Sequence, residues 1–267
     1  MSAVERRARF QELHEREELF LMPNAWDVGS AKLLAEFGFE AVATTSQGFA
    51  WTLGKKDQTV TRDELVAHVA ALAEATELPL SIDSERCYPD DPGGVAETVR
   101  LLAEAGAAGL SIEDYDPAQG RIDDIGRAAE RVAAAADASS DLVLTARCEN
   151  HLYGVTELDD TIARLVAYRD AGADAVYAPA LTELGQIEAV VEAVGVPVNV
   201  LALPKAPPIA QLESVGVRRV SVGSLFAGAA YGALVAAAQE LRDDGTSRYA
   251  ETRLPRELAE RAFAMPS

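Results

Sequence analysis

The sequence predicts a (β/α)8 barrel with an N-terminal helix and extra C-terminal helices. Three observations predict it. Short β-branched runs alternate with amphipathic stretches from end to end. Eight such runs fall within the roughly 250 residues that this fold needs, and several helical stretches close on a glycine just before the next run. The rival, an open doubly wound sheet, calls for a glycine-rich fingerprint after its first strand, and PNAWDVGSAKLL is not one. No linker divides the 267 residues, so they read as one domain.

The opening stretch, MSAVERRARFQELHEREELF, carries charges throughout, which suits a helix and excludes a signal peptide. Candidate strands follow at LFLMP (19–23), EAVATT (40–45), LPLSID (78–83) and AGLSIED (108–114). Four more are DLVLTAR (141–147), ADAVYAP (173–179), VPVNVLA (196–202) and VRRVSVG (217–223). Between them, Val95, Val99 and Leu102 repeat at helical spacing, as do Leu158, Ile162 and Leu165. Gly38, Gly106, Gly172, Gly195 and Gly216 stand where a left-handed residue would end each helix. The segment from about 224 to 267 reads as further helix, including a short one after a polar loop in GTSRYAETRLPRELAERAFAMPS.

Composition narrows the partners. Forty-three acids against 24 basic residues give a net charge of −19, which repels nucleic acid and anionic membranes. Cys87 and Cys148 are too few and too far apart for a disulfide framework or a zinc site. The most apolar late stretch, SLFAGAAYGALVAAAQ, is too short to span a bilayer. These features read as a cytoplasmic protein.

In a barrel of this kind function gathers at the C-terminal ends of the strands. Strand three ends at Asp83, with Glu85 one residue beyond. Extended backbone would place both acids on one face about 7 Å apart. Strand four ends at Glu113 and Asp114, strand five at Arg147 with Glu149 behind it, and strand seven carries Asn199. Three acids on neighbouring strands beside an arginine suggest a cation site next to an anion receptor. Oxygen donors without paired cysteines or histidines favour Mg²⁺, with Mn²⁺ as the alternative.

The motifs PNAWDVGSAKLL, ATTSQGFAWTLGKKD, SIDSERCYP, GLSIED, TARCEN, VPVNVLA and VRRVSVGSLFAGAAYGA stand in the order and spacing of one family. Across nearly its whole length the chain resembles the isocitrate lyase/phosphoenolpyruvate mutase superfamily. The resemblance implies that Asp83, Glu85 and Glu113 surround Mg²⁺, partly through water, with Asp57 as a further acid near the metal. It implies that Ser46, Gln47 and Gly48, with Thr44 before them, hold a small 2-oxo acid. Arg147 would face the substrate oxygens, and Asn199 would lie deeper in the pocket. It also implies a homo-oligomer, dimer or tetramer, with the last helices exchanged between subunits; packing on the chain's own barrel is the alternative.

Departures from the family pattern are equally specific. Lyases of isocitrate type carry a Lys-Lys/Arg-Cys-Gly-His loop after strand four, where this chain has EDYDPAQGRIDDIG, and a glutamate after strand six, where it has YAPAL. The asparagine gate loop and the histidine of phosphonomutases are not evident either. The reading is therefore a Mg²⁺-dependent carbon–carbon lyase or decarboxylase of a small 2-oxo or 2-hydroxy carboxylic acid, acting through a pyruvate-like enolate. Phosphonyl transfer on phosphoenolpyruvate and a catalytically silent metabolite-binding barrel are the alternatives. A phosphate-binding isomerase barrel, suggested only by SVGS (221–224), is a weaker one. Cys87, Tyr88 and His151 are candidate acid/base groups, whereas His14 and His68 fall on helices away from the catalytic face. The plainer readings are solvated strand-end acids, Arg147 as an ion-pair partner of Glu149 or Glu113, and turn chemistry at Ser46 and Gly48.

Overall fold

The computed structural model describes residues 1–138 and 141–264. The last three residues of the expected C-terminal segment lie outside them. All eight anticipated strands form; seven are shorter than their apolar runs, and the first continues past its run to Ala25. They are β1 (Phe20–Met22, resuming after Pro23 as Asn24–Ala25), β2 (Val42–Thr44), β3 (Leu80–Asp83) and β4 (Gly109–Glu113). The others are β5 (Val143–Arg147), β6 (Ala175–Tyr177), β7 (Val198–Leu201) and β8 (Arg219–Ser221). Every neighbouring pair is parallel and in sequence order.

The first strand closes the ring. Phe20–Met22 pairs with β8, in register with Arg219–Ser221, while Asn24–Ala25 pairs with β2. Pro23 marks the change of partner. It has no N–H to donate, but its carbonyl accepts from Ala43 at 2.9 Å. The five glycines expected to end helices all have positive φ.

Along each strand the side chains alternate between two environments. Leu80, Ile82, Leu110, Ile112, Leu144, Val198, Val200 and Val220 belong to the apolar core formed with the helices. The intervening residues are Ser81, Asp83, Ser111, Glu113, Thr145, Arg147, Asn199, Arg219 and Ser221. Barrel interiors are commonly filled by bulky branched residues. Small and polar residues here leave the upper interior hollow.

The lower mouth is plugged by α1 (Ala3–Glu15), which begins with a reciprocal cap between Ser2 and Glu5. Phe10 enters the barrel end beside Gly109, where a Cβ would lie 2.6 Å from both the Phe10 ring and the Val143 carbonyl. Glycine is required there by close approach. Phe10 and Phe20 both make edge contacts with His14.

Of the C-terminal helices, the last (Arg256–Ala262) rests on α2 (Val28–Glu36) of the same chain, joined by an ion pair of 2.5 Å between Arg261 and Glu36. The long helix Leu225–Asp243 buries only Ala227 and exposes Leu234, Val235 and Leu241.

Burial, with the Arg219 cation beside it as a lesser cause, pushes the His14 imidazole down from 6.5 to about 3. Below pH 6.5 the unfolded chain takes up a proton at this position that the folded chain refuses. Its contribution to stability is therefore present above pH 6.5 and lost as pH falls toward 3. Urea unfolding of wild type and H14Q at pH 7, 6 and 5 should show the stability gap between them shrinking on acidification, approaching about 1.4 kcal/mol per pH unit. A gap independent of pH would contradict a neutral buried His14.

Candidate active site

The upper mouth is organised by Arg147 at the end of β5. Its Nη1 donates to Asp83 Oδ1 at 2.7 Å, its Nη2 lies 3.0 Å from Glu113 Oε2, and its Nε donates to Glu149 Oε1 at 2.9 Å. The ring of Tyr177 lies beside the guanidinium, 5.7 Å from its carbon. Burial acts to lower the Arg147 pKa, but Glu149, Glu113 and Asp83 outweigh it and hold the group firmly charged. Arg147 is thus both an ion-pair partner, as the plainer reading expected, and part of the cavity wall.

The acid pair needs a correction. The strand ends at Asp83, and Glu85 has φ +51, so pleat alternation does not bring the two together. A compact turn does. Cys87 N–H donates to Ser84 O at 2.7 Å, Ser84 Oγ to Ser111 O at 2.6 Å, and Glu113 N–H to Glu85 O at 2.9 Å. The result is still a concentration of charge. Burial, then Asp83 and Asp57, push the Glu85 carboxyl up to about 8. Burial followed by Asp83 also raises Asp57, and burial raises Glu113 well above the ordinary range against the pull of Arg147.

These residues border a cavity of about 360 Å³ at the C-terminal end of the barrel. Thr44, Ser46, Gln47, Asp57, Asp83, Arg147 and Asn199 line it, while Gly48, Glu85 and Glu113 stand behind its wall. Ser46 opens α3 (Ser46–Thr52), and its N–H is held by Asp83 Oδ2 at 3.0 Å. Thr44 Oγ1 accepts from Asp83 N–H at 2.9 Å, and Gln47 Oε1 accepts from Ser224 Oγ at 2.6 Å. Gly48 serves packing: a Cβ there would stand 2.6 Å from Thr45 Cγ2 and 2.9 Å from Trp26 Cβ.

The donor set fits a hard divalent cation in kind. Asp57, Asp83, Glu85 and Glu113 offer only carboxylate oxygens, with Arg147 as their shared counter-charge, and buried Asp57 Oδ1 has no hydrogen-bond partner. Among the described residues no three acid, histidine or cysteine side chains already converge into a ligand cage. Asp83 and Glu113 are turned to Arg147 instead.

None of the three candidate acid/base groups lines the cavity. Cys87 is fully buried with its Sγ 3.9 Å from Val95 O, and burial pushes the thiol up to about 12. Tyr88 donates to Val60 O at 3.2 Å, and His151 lies 3.3 Å from Thr161 Oγ1. Sequence reading also missed wall residues, among them Tyr177, Ser81, Ser111 and Arg219. An arginine at an inward position of β8 was the available signal for the last. Its Nε donates to Asn199 Oδ1 at 2.9 Å and its Nη2 to Thr145 Oγ1 at 3.0 Å, while Nη1 lies 2.9 Å from His14 Nε2. His14, set aside as remote, therefore supports the cavity from below.

The segment after β4 folds into a small hairpin, Tyr115–Asp116 against Arg121–Ile122. Buried charges fasten its base. Asp123 accepts from Arg131 at 2.6 Å and from Arg86 at 3.3 Å, and Arg86 also lies 3.1 Å from Asp116. Asp114 turns away from the cavity to accept from Tyr168 at 2.6 Å. Tyr115 stacks on Tyr153 at 3.7 Å.

Comparison with known proteins decides the family: residues 10–242 match the profile of phosphoenolpyruvate phosphomutase. The chain belongs to the phosphoenolpyruvate phosphomutase family. It is 34% identical over 236 residues to an uncharacterized protein of Mycobacterium tuberculosis, covering 88% of this chain and 89% of that one. It is 30% identical to the oxaloacetate decarboxylase of Paraburkholderia xenovorans, covering 97% and 90%. A crystal structure of a candidate lyase/mutase from Burkholderia cenocepacia superposes with a TM-score of 0.93 at 48% identity, covering 99% and 97%. The chain is accordingly an enzyme of a superfamily of lyases and mutases, built on the barrel that the sequence predicted.

Removing Asp123 would leave the buried Arg131 guanidinium without a carboxylate partner. D123N should cost about 3–5 kcal/mol, the usual penalty for breaking a buried ion pair, read as a lowered urea midpoint. A loss below 1 kcal/mol would show that the hairpin is not fastened by this network.

Proposed function

We propose that this enzyme is a Mg²⁺-dependent carbon–carbon lyase acting on a small 2-oxo acid, and that decarboxylation is its reaction. The observation that carries the reading is the mouth of the cavity: Arg147 is held among Asp83, Glu113 and Glu149, with Asp57 Oδ1 unpartnered beside them. Asp83, with Asp57, Glu85 and Glu113 around it, would hold the cation. When bound, the metal would supply Lewis-acid polarisation of the substrate's carbonyl.

The remaining roles belong to the chain. Residues Ser46 and Gln47 at the start of α3 would seat the carboxylate next to the 2-oxo group. As the bond to the departing carboxyl breaks, its electron pair moves toward the 2-oxo oxygen and carbon dioxide leaves. Arg147 stabilises the enolate charge that develops. Tyr177 lies on the cavity wall, and burial raises its phenol above the usual range, so it remains protonated and can return a proton to the enolate carbon.

Cavity chemistry favours decarboxylation over cleavage of a 2-hydroxy acid. Retro-aldol cleavage requires a base to take the hydroxyl proton; Cys87, Tyr88 and His151 all lie off the wall, and the wall acid Asp57 is here assigned to the cation. The oxaloacetate decarboxylase relative supports the same choice. The exposed apolar side of the helix Leu225–Asp243 supports a homo-oligomer in which a second copy covers it.

The test is calorimetric titration of oxalate, a planar mimic of the pyruvate enolate, with and without Mg²⁺, in wild type and D83A. Binding should require both Mg²⁺ and Asp83, and oxaloacetate should yield pyruvate with kcat/KM reduced roughly 10²–10³-fold in D83A. Oxalate binding indifferent to Mg²⁺ would sink the assignment.

A further inference from the structure

Backbone strain in this chain is concentrated beside the acids of the mouth. Among the described residues five non-glycine residues have positive φ, and four of them stand in two turns. Gln58 (φ +62) follows α3, while Glu85 (+51), Cys87 (+62) and Tyr88 (+46) follow β3. A left-handed residue with a side chain is unfavourable. It persists where its surroundings over-determine it, most often at functional sites. The two turns are joined, because Tyr88 Oη donates to Val60 O at 3.2 Å.

Gln58 acts on three of the four acids gathered there. Its Nε2 donates to Glu113 Oε1 at 2.9 Å, while Arg147 lies 3.0 Å from the other oxygen of the same carboxyl. Burial raises the pKa of Glu85 and of Asp57, and the Gln58 backbone N–H opposes the rise in both. The remaining polar atom of the side chain, Oε1, is buried without a partner. Three buried side-chain oxygens lack a hydrogen bond among the described residues, and two of them are consecutive: Asp57 Oδ1 and Gln58 Oε1. Buried acceptors in folded proteins normally find a donor. Water held on a divalent cation suits both. Mg²⁺ keeps several of its waters, and the charge of the ion makes their protons strong donors. Carboxylates outcompete a neutral amide for direct contact with the ion, which leaves the amide oxygen a coordinated water.

We propose that Gln58 is a positioning residue of the cation site, its amide nitrogen fixing Glu113 and its amide oxygen accepting, with Asp57, from water on the cation. The proposal rests on the cation site of the function proposed above and deepens it. Glu113 is then set from two sides, by Arg147 on one oxygen and Gln58 on the other. Glycine at this position would relieve the backbone and lose both side-chain contacts.

The experiment separates this role from support of the turn. Mn²⁺, whose binding is read directly by electron paramagnetic resonance, is titrated into wild type, Q58G, Q58M and D83A. The urea midpoint of each protein is measured alongside. Q58M keeps the length of the side chain without its hydrogen bonds. Both Gln58 variants should bind Mn²⁺ about 10- to 100-fold more weakly than wild type, the usual effect of removing a residue that orients metal ligands. They should lose affinity alike, although Q58G, relieved of strain at φ +62, should unfold at higher urea than Q58M. Affinity within about threefold of wild type in both variants overturns the proposal. So does a loss confined to the less stable of the two. The wild-type titration distinguishes the two hypotheses. If wild type binds no Mn²⁺, the cation site itself fails, whereas binding lost in D83A and kept in both Gln58 variants defeats only the role of Gln58.

Discussion

The architecture of the site depends on one guanidinium. Asp83, Glu113 and Arg147 end three adjacent strands, and parallel register sets Glu113 opposite Arg147. With Glu149, three buried or half-buried carboxylates therefore share a single cation. Asp57 and Glu85 add further carboxyl groups within reach, and burial together with Asp83 makes each harder to ionise. Such a surplus is unfavourable for an isolated chain. It becomes useful when a cation enters, because carboxylates already gathered need little further ordering.

The barrel keeps this mouth apart from a second, opposite pole. Arg219 stands on the floor among neutral acceptors, and α1 reaches it through His14 from outside the strand ring. The N-terminal helix is then more than a plug for the lower opening. It supports a cation without neutralising it, and Gly109 makes room for Phe10, whose ring packs against His14. An acid-rich rim and a basic floor, joined by a shaft of serines, make the cavity polar along its length.

Legibility in the sequence followed the range of the interaction that mattered. The strands were visible because burial against the outer helices demands runs such as LSID and VLTAR, and the helix ends because glycine alone accepts the required φ cheaply. Asp83, Asp57 and Arg147, singled out by residue type and motif position, come together on the wall of one cavity. Glu85 was assigned to the right neighbourhood by the wrong geometry: the chain leaves the strand at Asp83, and nothing in DSER announces a left-handed glutamate. Arg219 and His14 were overlooked because their contact links residues 205 positions apart. No local pattern carries such a pairing. The clue lay in a charge at an inward strand position, which alternation alone would have reserved for an apolar or small side chain.

The hairpin after β4 constrains what the cavity can do. In many enzymes a mobile loop brings an acid or base over the substrate and excludes water as it closes. Here the corresponding segment is short, its base is tied through Asp116 and Asp123 to Arg86 and Arg131, and Tyr115 is stacked on Tyr153. A segment held by buried charges opens only at the cost of desolvated partners. On the proposed reaction, catalytic groups would then come from the wall, where Arg147 would stabilise negative charge and Tyr177 would hold a proton. That equipment suits a bond whose leaving group needs no proton in order to depart. Carbon dioxide is such a group, and under the proposed decarboxylation a cysteine loop of the kind expected in isocitrate-type lyases would have no proton to move.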